Sequence, residues 1–61
     1  MKLKISARYG SLEYSETAYP YNKNAHDEQV DDCLRSIRRQ IADAGQAEMM
    51  DAFLLTSEII E

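Results

Sequence analysis

The stretch Lys2–Tyr9 reads KLKISARY and alternates polar and apolar side chains without a break. Every second residue from Leu3 onward is apolar, which is the period of a strand with one buried face. The next two residues, Gly10-Ser11, are a glycine-first pair that suits a type II′ turn. The stretch therefore predicts a β-hairpin whose second strand begins at Leu12.

The turn also predicts how the two strands of this hairpin pair. Counting back from it gives three cross-strand pairs, the last of them charge-complementary on the outer face: Tyr9 with Leu12, Ala7 with Tyr14, and Arg8 with Glu13. The same count places Glu16 opposite Ile5 on the apolar face. We therefore expect either a bulge near Ser15-Glu16 that resets the alternation or loose pairing at that point.

Beyond the hairpin, the apolar spacing changes to that of a long amphipathic helix. Asn24 is a suitable N-cap, acidic residues fall in the first turn, and Gly45 is a suitable stop. One narrow apolar stripe has the i, i+3, i+4, i+7 spacing of a buried helix face: Val30, Cys33, Leu34, Ile37, Ile41 and Ala44. The segment therefore predicts one helix from Asn24 to about Ala44.

Residues 47–60 fit two structures. They contain many good helix formers, and as a helix they place Glu48, Asp51 and Glu58 on one face. As a strand beginning at Phe53, the same segment would add a third strand to the sheet. The expected fold class is α+β: a β-hairpin packed on a long amphipathic helix, followed by a second helix, with a third antiparallel strand as the alternative.

A chain of 61 residues is one domain, residues 1–61, that buries only about 60% of the surface its unfolded chain exposes. So small a core leaves little room for a buried active-site cavity. The single cysteine, Cys33, cannot form an intramolecular disulfide, which favours a reducing compartment. No segment has the pattern of a signal peptide, and no apolar run approaches the ~20 residues of a membrane span. We therefore expect a cytoplasmic protein without membrane contact.

Residue types that carry catalysis or bind metals are scarce. His26 is the only histidine, and Cys33 falls in the apolar stripe, where a thiol in the core is expected. Zinc sites need about four ligands from Cys, His and carboxylates, and no Asp-rich loop has calcium spacing. Gly10 and Gly45 are both explained by turns. We expect no enzymatic activity, no cofactor and no metal.

The net charge of −4 is concentrated at the end of the chain. Residues 1–24 carry +2 and residues 25–45 carry −2, so these two segments cancel, and the predicted helix has two i,i+4 pairs, Asp31–Arg35 and Arg39–Asp43. Residues 46–61, by contrast, hold four carboxylates and no Lys or Arg. We expect this segment to bind a protein partner with a basic nucleic-acid-binding groove. Four carboxylates supply the charge and two leucines anchor the contact: Glu48, Asp51, Leu54, Leu55, Glu58 and Glu61.

In length, acidity and lack of a catalytic motif, and in these four carboxylates, the chain resembles the small phage-encoded inhibitors of bacterial defence, the anti-CRISPR proteins. The resemblance is one of class, because these proteins share no common motif, and no functional residue is carried over from it. It implies a non-enzymatic inhibitor that occludes a nucleic-acid-binding channel of a CRISPR effector complex by mimicking the charge of DNA. Such a protein would act in the host cytoplasm and bind no nucleic acid directly.

Two other hypotheses use different residues. The outer face of the first strand carries Lys2, Lys4 and Arg8, and a strand followed by two helices resembles the ribbon-helix-helix repressors. A small dimeric DNA-binding or regulatory module is therefore the second hypothesis, although the chain departs from that family in its extra strand and its inter-helix turn. The third hypothesis is a structural adaptor that forms a homodimer through Leu54 and Leu55. The oligomeric state is left as monomer or homodimer.

Overall fold

The computed structural model describes residues 1–61, which form a three-stranded antiparallel sheet and one α-helix. The elements in chain order are β1 (Lys2–Tyr9), β2 (Leu12–Ala18), a 3₁₀ helix (Lys23–Ala25), α1 (His26–Asp43), a second 3₁₀ helix (Ala47–Ala52) and β3 (Leu54–Ile60). The strand order is β2-β1-β3, so β1 is central and the other two strands are edges. The predicted α+β fold, with a β-hairpin packed on a long helix, is confirmed.

The hairpin pairs as its turn predicts. The three pairs counted back from the turn are all present in the β1–β2 ladder. Gly10 has φ +59°, and no residue other than glycine has a positive φ. A type I′ turn needs a positive φ at both central residues, so the geometry at Gly10-Ser11 fits type II′.

The expected irregularity at Glu16 does not form. Ile5 lies directly opposite Glu16 in a ladder that continues without a bulge to Leu3 and Ala18. The Glu16 carboxylate, which is half-buried, accepts a hydrogen bond from the Ser36 hydroxyl at 2.7 Å. It also accepts one from the N–H of the next residue in the strand at 3.1 Å. Because these bonds satisfy the carboxylate at the margin of the core, the register has no need to slip.

Helix α1 packs its apolar stripe against β1 and β2. Three residues of the predicted stripe, Cys33, Ile37 and Ile41, are buried, whereas Ala44 at its end is exposed. The core has seven residues: Leu3, Ile5, Ala7, Cys33, Ile37, Ile41 and Phe53. We call the side of the sheet that faces α1 the inner face and the opposite side the outer face.

The start of the helix differs from the prediction. Asn24 does not cap an α-helix, because it lies within the first 3₁₀ helix. The residue that caps this turn is Asn22, whose side chain accepts a hydrogen bond from the N–H of Asn24 at 2.9 Å. The α-helix proper begins two residues later, at His26, after the N-cap position Ala25, which makes no side-chain cap.

The end of the helix is as predicted. Gly45 has φ +77°, a left-handed conformation that glycine adopts without the strain of a Cβ atom. Its N–H bonds to the carbonyl of Ala42, and the N–H of Gln46 bonds to the carbonyl of Ile41, each at 3.0 Å. These two bonds form a Schellman motif, which satisfies carbonyls that the last helical turn leaves free.

Residues 47–60 do not form a second α-helix. Helical geometry is limited to the 3₁₀ helix Ala47–Ala52, and Leu54–Ile60 pairs with β1 as the third antiparallel strand, the alternative given above. The physical reason is that β1 offers a full row of unpaired N–H and C=O groups on its second side, which a strand satisfies and a helix does not. The chain consequently lacks the second helix of a ribbon-helix-helix repressor.

Candidate binding surfaces

Strand β3 is the most exposed regular element of the fold. All of its residues are exposed except Ile60, which is half-buried. Its large apolar side chains Leu54, Leu55 and Ile59 are 74%, 56% and 46% exposed. Helix α1 packs on the other two strands and leaves this side of the sheet open. Exposed apolar side chains on one strand make β3 a candidate binding surface.

Alternation along β3 divides its side chains between the two faces. Leu55, Ser57 and Ile59 lie opposite buried residues of β1, and paired residues in an antiparallel ladder share a face, so these three belong to the inner face. Leu54 and Glu58 lie opposite the cationic side of β1 and belong to the outer face. The two leucines predicted to act as one anchor are therefore on opposite faces of the sheet.

The four predicted carboxylates are all exposed but lie in three places. Glu48 and Asp51 are in the second 3₁₀ helix, Glu58 is on the outer face of β3, and Glu61 follows the strand. The shared helical face expected for Glu48, Asp51 and Glu58 is lost, because residues 54–60 form a strand instead of a helix. The carboxylates border β3 rather than forming a regular row.

None of these carboxylates is neutralised by an ion pair. The only ion pair of the chain joins Asp32 to Arg35 at 3.7 Å across one turn of α1. Neither of the two pairs predicted on this helix forms: Asp31 with Arg35 and Arg39 with Asp43. Lys4 is the cross-strand partner of Glu58, but no ion pair forms between them. The C-terminal segment therefore keeps its free negative charge.

A shallow groove of about 210 Å³ runs between α1 and the inner face of β3. Its floor includes Phe53, whose ring centroid lies 5.7 Å from that of Tyr9 and 5.9 Å from that of Tyr14. Leu55 lines the groove on the strand side, and Arg38 lines it on the helix side. Sequence reasoning missed this groove, although the alternation of Phe53, Leu55 and Ile59 was its signal.

The outer face of the sheet is uncovered and carries cations along its central strand. Lys2, Lys4 and Arg8 occupy alternate positions of β1 and point to this face, as predicted for that strand. Acidic residues flank the row on both sides, because Glu13 of β2 lies opposite Arg8 and Glu58 of β3 lies opposite Lys4. The face is therefore a mixed-charge surface rather than a purely basic one.

His26 and Cys33, the two residues considered for nucleophilic chemistry, are not hydrogen-bonded to each other. The Nδ1 atom of His26 is hydrogen-bonded to the Tyr21 hydroxyl at 2.8 Å. Cys33 is 1% exposed, and burial, together with the nearby Glu16 and Asp32 carboxylates, raises the pKa of its thiol. A buried thiol that stays protonated is a poor nucleophile. No three His, Cys, Asp or Glu side chains lie close enough to hold a metal ion.

Comparison of the chain with protein-family models, with curated proteins and with solved structures finds no match. No helix of the structure combines the length and apolar character needed to cross a bilayer. Three features of the molecule thus bear on function: the unpaired carboxylates around β3, the open edge of that strand, and the outer face of β1.

Proposed function

We propose that this protein is a non-enzymatic inhibitor that binds a basic nucleic-acid-binding site, of the kind found in CRISPR effector complexes, through its C-terminal carboxylates. One observation supports the proposal above the others: Glu48, Asp51, Glu58 and Glu61 are all exposed and none is held in an ion pair. Unpaired carboxylates attract a basic groove over about one Debye length, ~8–10 Å at ordinary ionic strength. The choice of a CRISPR-type target rests on the class resemblance of the sequence.

An apolar side chain beside the charge would hold such a complex together. Leu54 is 74% exposed and shares the outer face of β3 with Glu58. Burying a leucine side chain contributes roughly 1.5–3 kcal/mol. We expect the carboxylates to govern the rate of association and Leu54 to govern the rate of dissociation, because long-range charge acts on encounter and packing acts on lifetime.

The proposal is tested by adding the purified protein to single-chain and multi-subunit CRISPR effector complexes with labelled target DNA. We expect the fraction of bound DNA to fall as the protein is added. A variant with Glu48→Gln, Asp51→Asn, Glu58→Gln and Glu61→Gln should inhibit at least about tenfold less well, since it loses the charge that drives encounter.

The matched control removes four carboxylates from α1 instead, with Asp27→Asn, Glu28→Gln, Asp31→Asn and Asp43→Asn. It changes the net charge by the same amount and should inhibit within about threefold of the wild type, if position rather than total charge matters. Equal losses in the two variants would show that the C-terminal segment has no special role. Inhibition of none of the complexes by the wild type would reject the CRISPR-type target.

A second candidate function rests on the cations of the outer face. Lys2, Lys4 and Arg8 line one side of an uncovered strand, which suits contact with nucleic-acid phosphates. Fluorescence anisotropy with a labelled random duplex at low salt separates the two candidates. Tight binding that disappears in a Lys2→Ala, Lys4→Ala, Arg8→Ala variant would favour this function over inhibition by carboxylates.

A further inference from the structure

We propose that two copies of this chain pair through the open edge of β3, antiparallel and centred on Ser57, to form one six-stranded sheet. β3 is a sheet edge with exposed apolar side chains on both faces. The unpaired backbone groups of such an edge are a template for another strand. This dimer goes beyond the proposed inhibitory function and does not rest on it.

The two edges of the sheet are not equivalent. On β2, the N–H of Thr17 donates to the Glu16 carboxylate at 3.1 Å, and the carbonyl of Ser15 accepts from the Gln40 side chain at 3.2 Å. Side chains thus occupy backbone groups that would otherwise accept a new strand. No side-chain hydrogen bond reaches residues 54–60. The β3 edge is therefore the one left open.

The bonds on β2 also reveal which backbone groups of β3 are free. They show that the odd-numbered residues of β2 turn their N–H and C=O groups away from β1. In an antiparallel ladder, residue pairs alternate between exchanging both backbone bonds and exchanging none. The even-numbered residues of β2 therefore bond the odd-numbered residues of β1. This leaves the even-numbered residues of β1 to bond the even-numbered residues of β3. Leu55, Ser57 and Ile59 therefore point their N–H and C=O groups to the open edge.

The side chains of β3 are self-complementary in one register. With Ser57 opposite Ser57 of the second copy, every pair joins residues of like polarity without opposing two charges: Leu55 with Ile59, Leu54 with Ile60, and Thr56 with Glu58. A register centred on Glu58 would place the Glu58 carboxylates of the two copies opposite each other. A register centred on Thr56 would place Leu54 against Glu58. The twofold axis is perpendicular to the sheet in all three registers, but only the register centred on Ser57 pairs all three outward-facing residues within β3.

Pairing in this register gives the free edge of β3 backbone hydrogen bonds and covers its apolar side chains. Three outward-facing residue pairs exchange about six backbone hydrogen bonds. Leu55 and Ile59, now 56% and 46% exposed, are covered along the strand edge. The interface is small, below ~1,200 Å², so we expect a dissociation constant on the order of 10 µM. Leu54 and Glu58 stay accessible on the outer face, which makes the dimer compatible with the proposed inhibitory surface.

The first test is sedimentation of the purified protein from 1 to 500 µM. We expect the mass to rise from 7.0 kDa toward twice that value. The variant Ser57→Pro removes an N–H that faces the open edge and leaves the ladder with β1 intact, so it should weaken the dimer at least about tenfold. The matched control Ser15→Pro makes the same change on the β2 edge and should leave the dimer unchanged.

The second test is disulfide cross-linking, which reports the register. Directly opposed residues that exchange backbone bonds have Cα atoms about 5.5 Å apart, within disulfide range. Ser57→Cys should therefore form a covalent dimer under mild oxidation. Thr56→Cys should not, because Thr56 and its copy would be about 8 Å apart. The native Cys33 is buried and does not compete.

Three results would overturn the dimer. The first is a protein that remains monomeric at 500 µM. That result is also expected if the β3 edge binds a strand of a different protein. The second is a dimer that Ser57→Pro and Ser15→Pro affect equally, and the third is equal cross-linking at positions 56 and 57. If Ser57→Pro fails to fold by circular dichroism, the cross-linking pair alone decides.

Discussion

Glu16 shows how this fold accepts a carboxylate on its apolar face. The Ser36 hydroxyl, and then the N–H of Thr17, donate to the carboxylate and lower the pKa of Glu16 below its usual 4.5. Because the folded pKa lies below the unfolded one, the resulting stabilisation is complete above the unfolded pKa. It is lost as the pH falls through the folded pKa.

We predict that Ser36→Ala lowers the free energy of unfolding by about 0.5–1.5 kcal/mol at pH 7, since it removes one hydrogen bond to a charged group at the margin of the core. The same substitution should cost less at a pH below the folded pKa of Glu16, where the carboxylate is protonated. Urea unfolding at both pH values measures the difference, with Ser11→Ala in the exposed turn as the control. An equal cost at both pH values would contradict the assigned role of the Glu16 charge.

Residue pairs close to the turn were predictable, whereas contacts between distant residues were not. The sequence shows that Ile5 faces Glu16, but the side chain that resolves this conflict, Ser36, lies 20 positions further along the chain. The bond from the Tyr14 hydroxyl to Gln46 spans 32 positions and left no signal either. Hydrogen bonds between side chains depend on the docking angle of α1, which no local pattern encodes.

At the scale of the elements, the end of α1 is set by Gly45. A Cβ atom added there meets nothing within 4 Å, so the cost of a substitution comes from the backbone alone. We predict that Gly45→Ala destabilises the protein by about 1–2 kcal/mol, because its φ of +77° strains an L-residue. Gly45→Asn should cost less, since asparagine tolerates this conformation. Urea unfolding compares the two, and an alanine variant as stable as the asparagine variant would contradict the account.

Strand β3 is the element whose type the sequence left open. Its residues include good helix formers, and the strand exists because β1 has a free side, which is tertiary information. Whether this segment is a helix or a strand also determines which face of the molecule each of its side chains occupies. The residues proposed for the candidate site came from charge and from two adjacent leucines, but the faces they occupy could not be predicted. A strand places Leu54 and Leu55 on opposite faces, whereas successive residues of a helix lie about 100° apart around its axis.

At the scale of the whole molecule, one helix is too narrow for this sheet. Three strands spaced ~4.8 Å apart span about 14 Å with their side chains, and a helix with its side chains is about 10–12 Å across. Helix α1 packs on β1 and β2, so β2 packs Leu12, Tyr14 and Ala18 against the core, whereas no residue of β3 belongs to the core or packs against it. An exposed apolar strand therefore follows from the architecture, and both proposals place a partner there, on the outer face or at the edge.

Hydrogen exchange of the β3 amides, resolved by residue and measured at 1 µM and 500 µM, tests this account most directly. At 1 µM we expect the amides of Thr56, Glu58 and Ile60, which face β1, to exchange slowly and those of Leu55, Ser57 and Ile59 to exchange fast. At 500 µM the second set should also become slow, as the open edge is taken by a second copy. Uniform exchange along residues 54–60 at both concentrations would contradict the account, because it would mean that these residues do not form an edge strand with one free side.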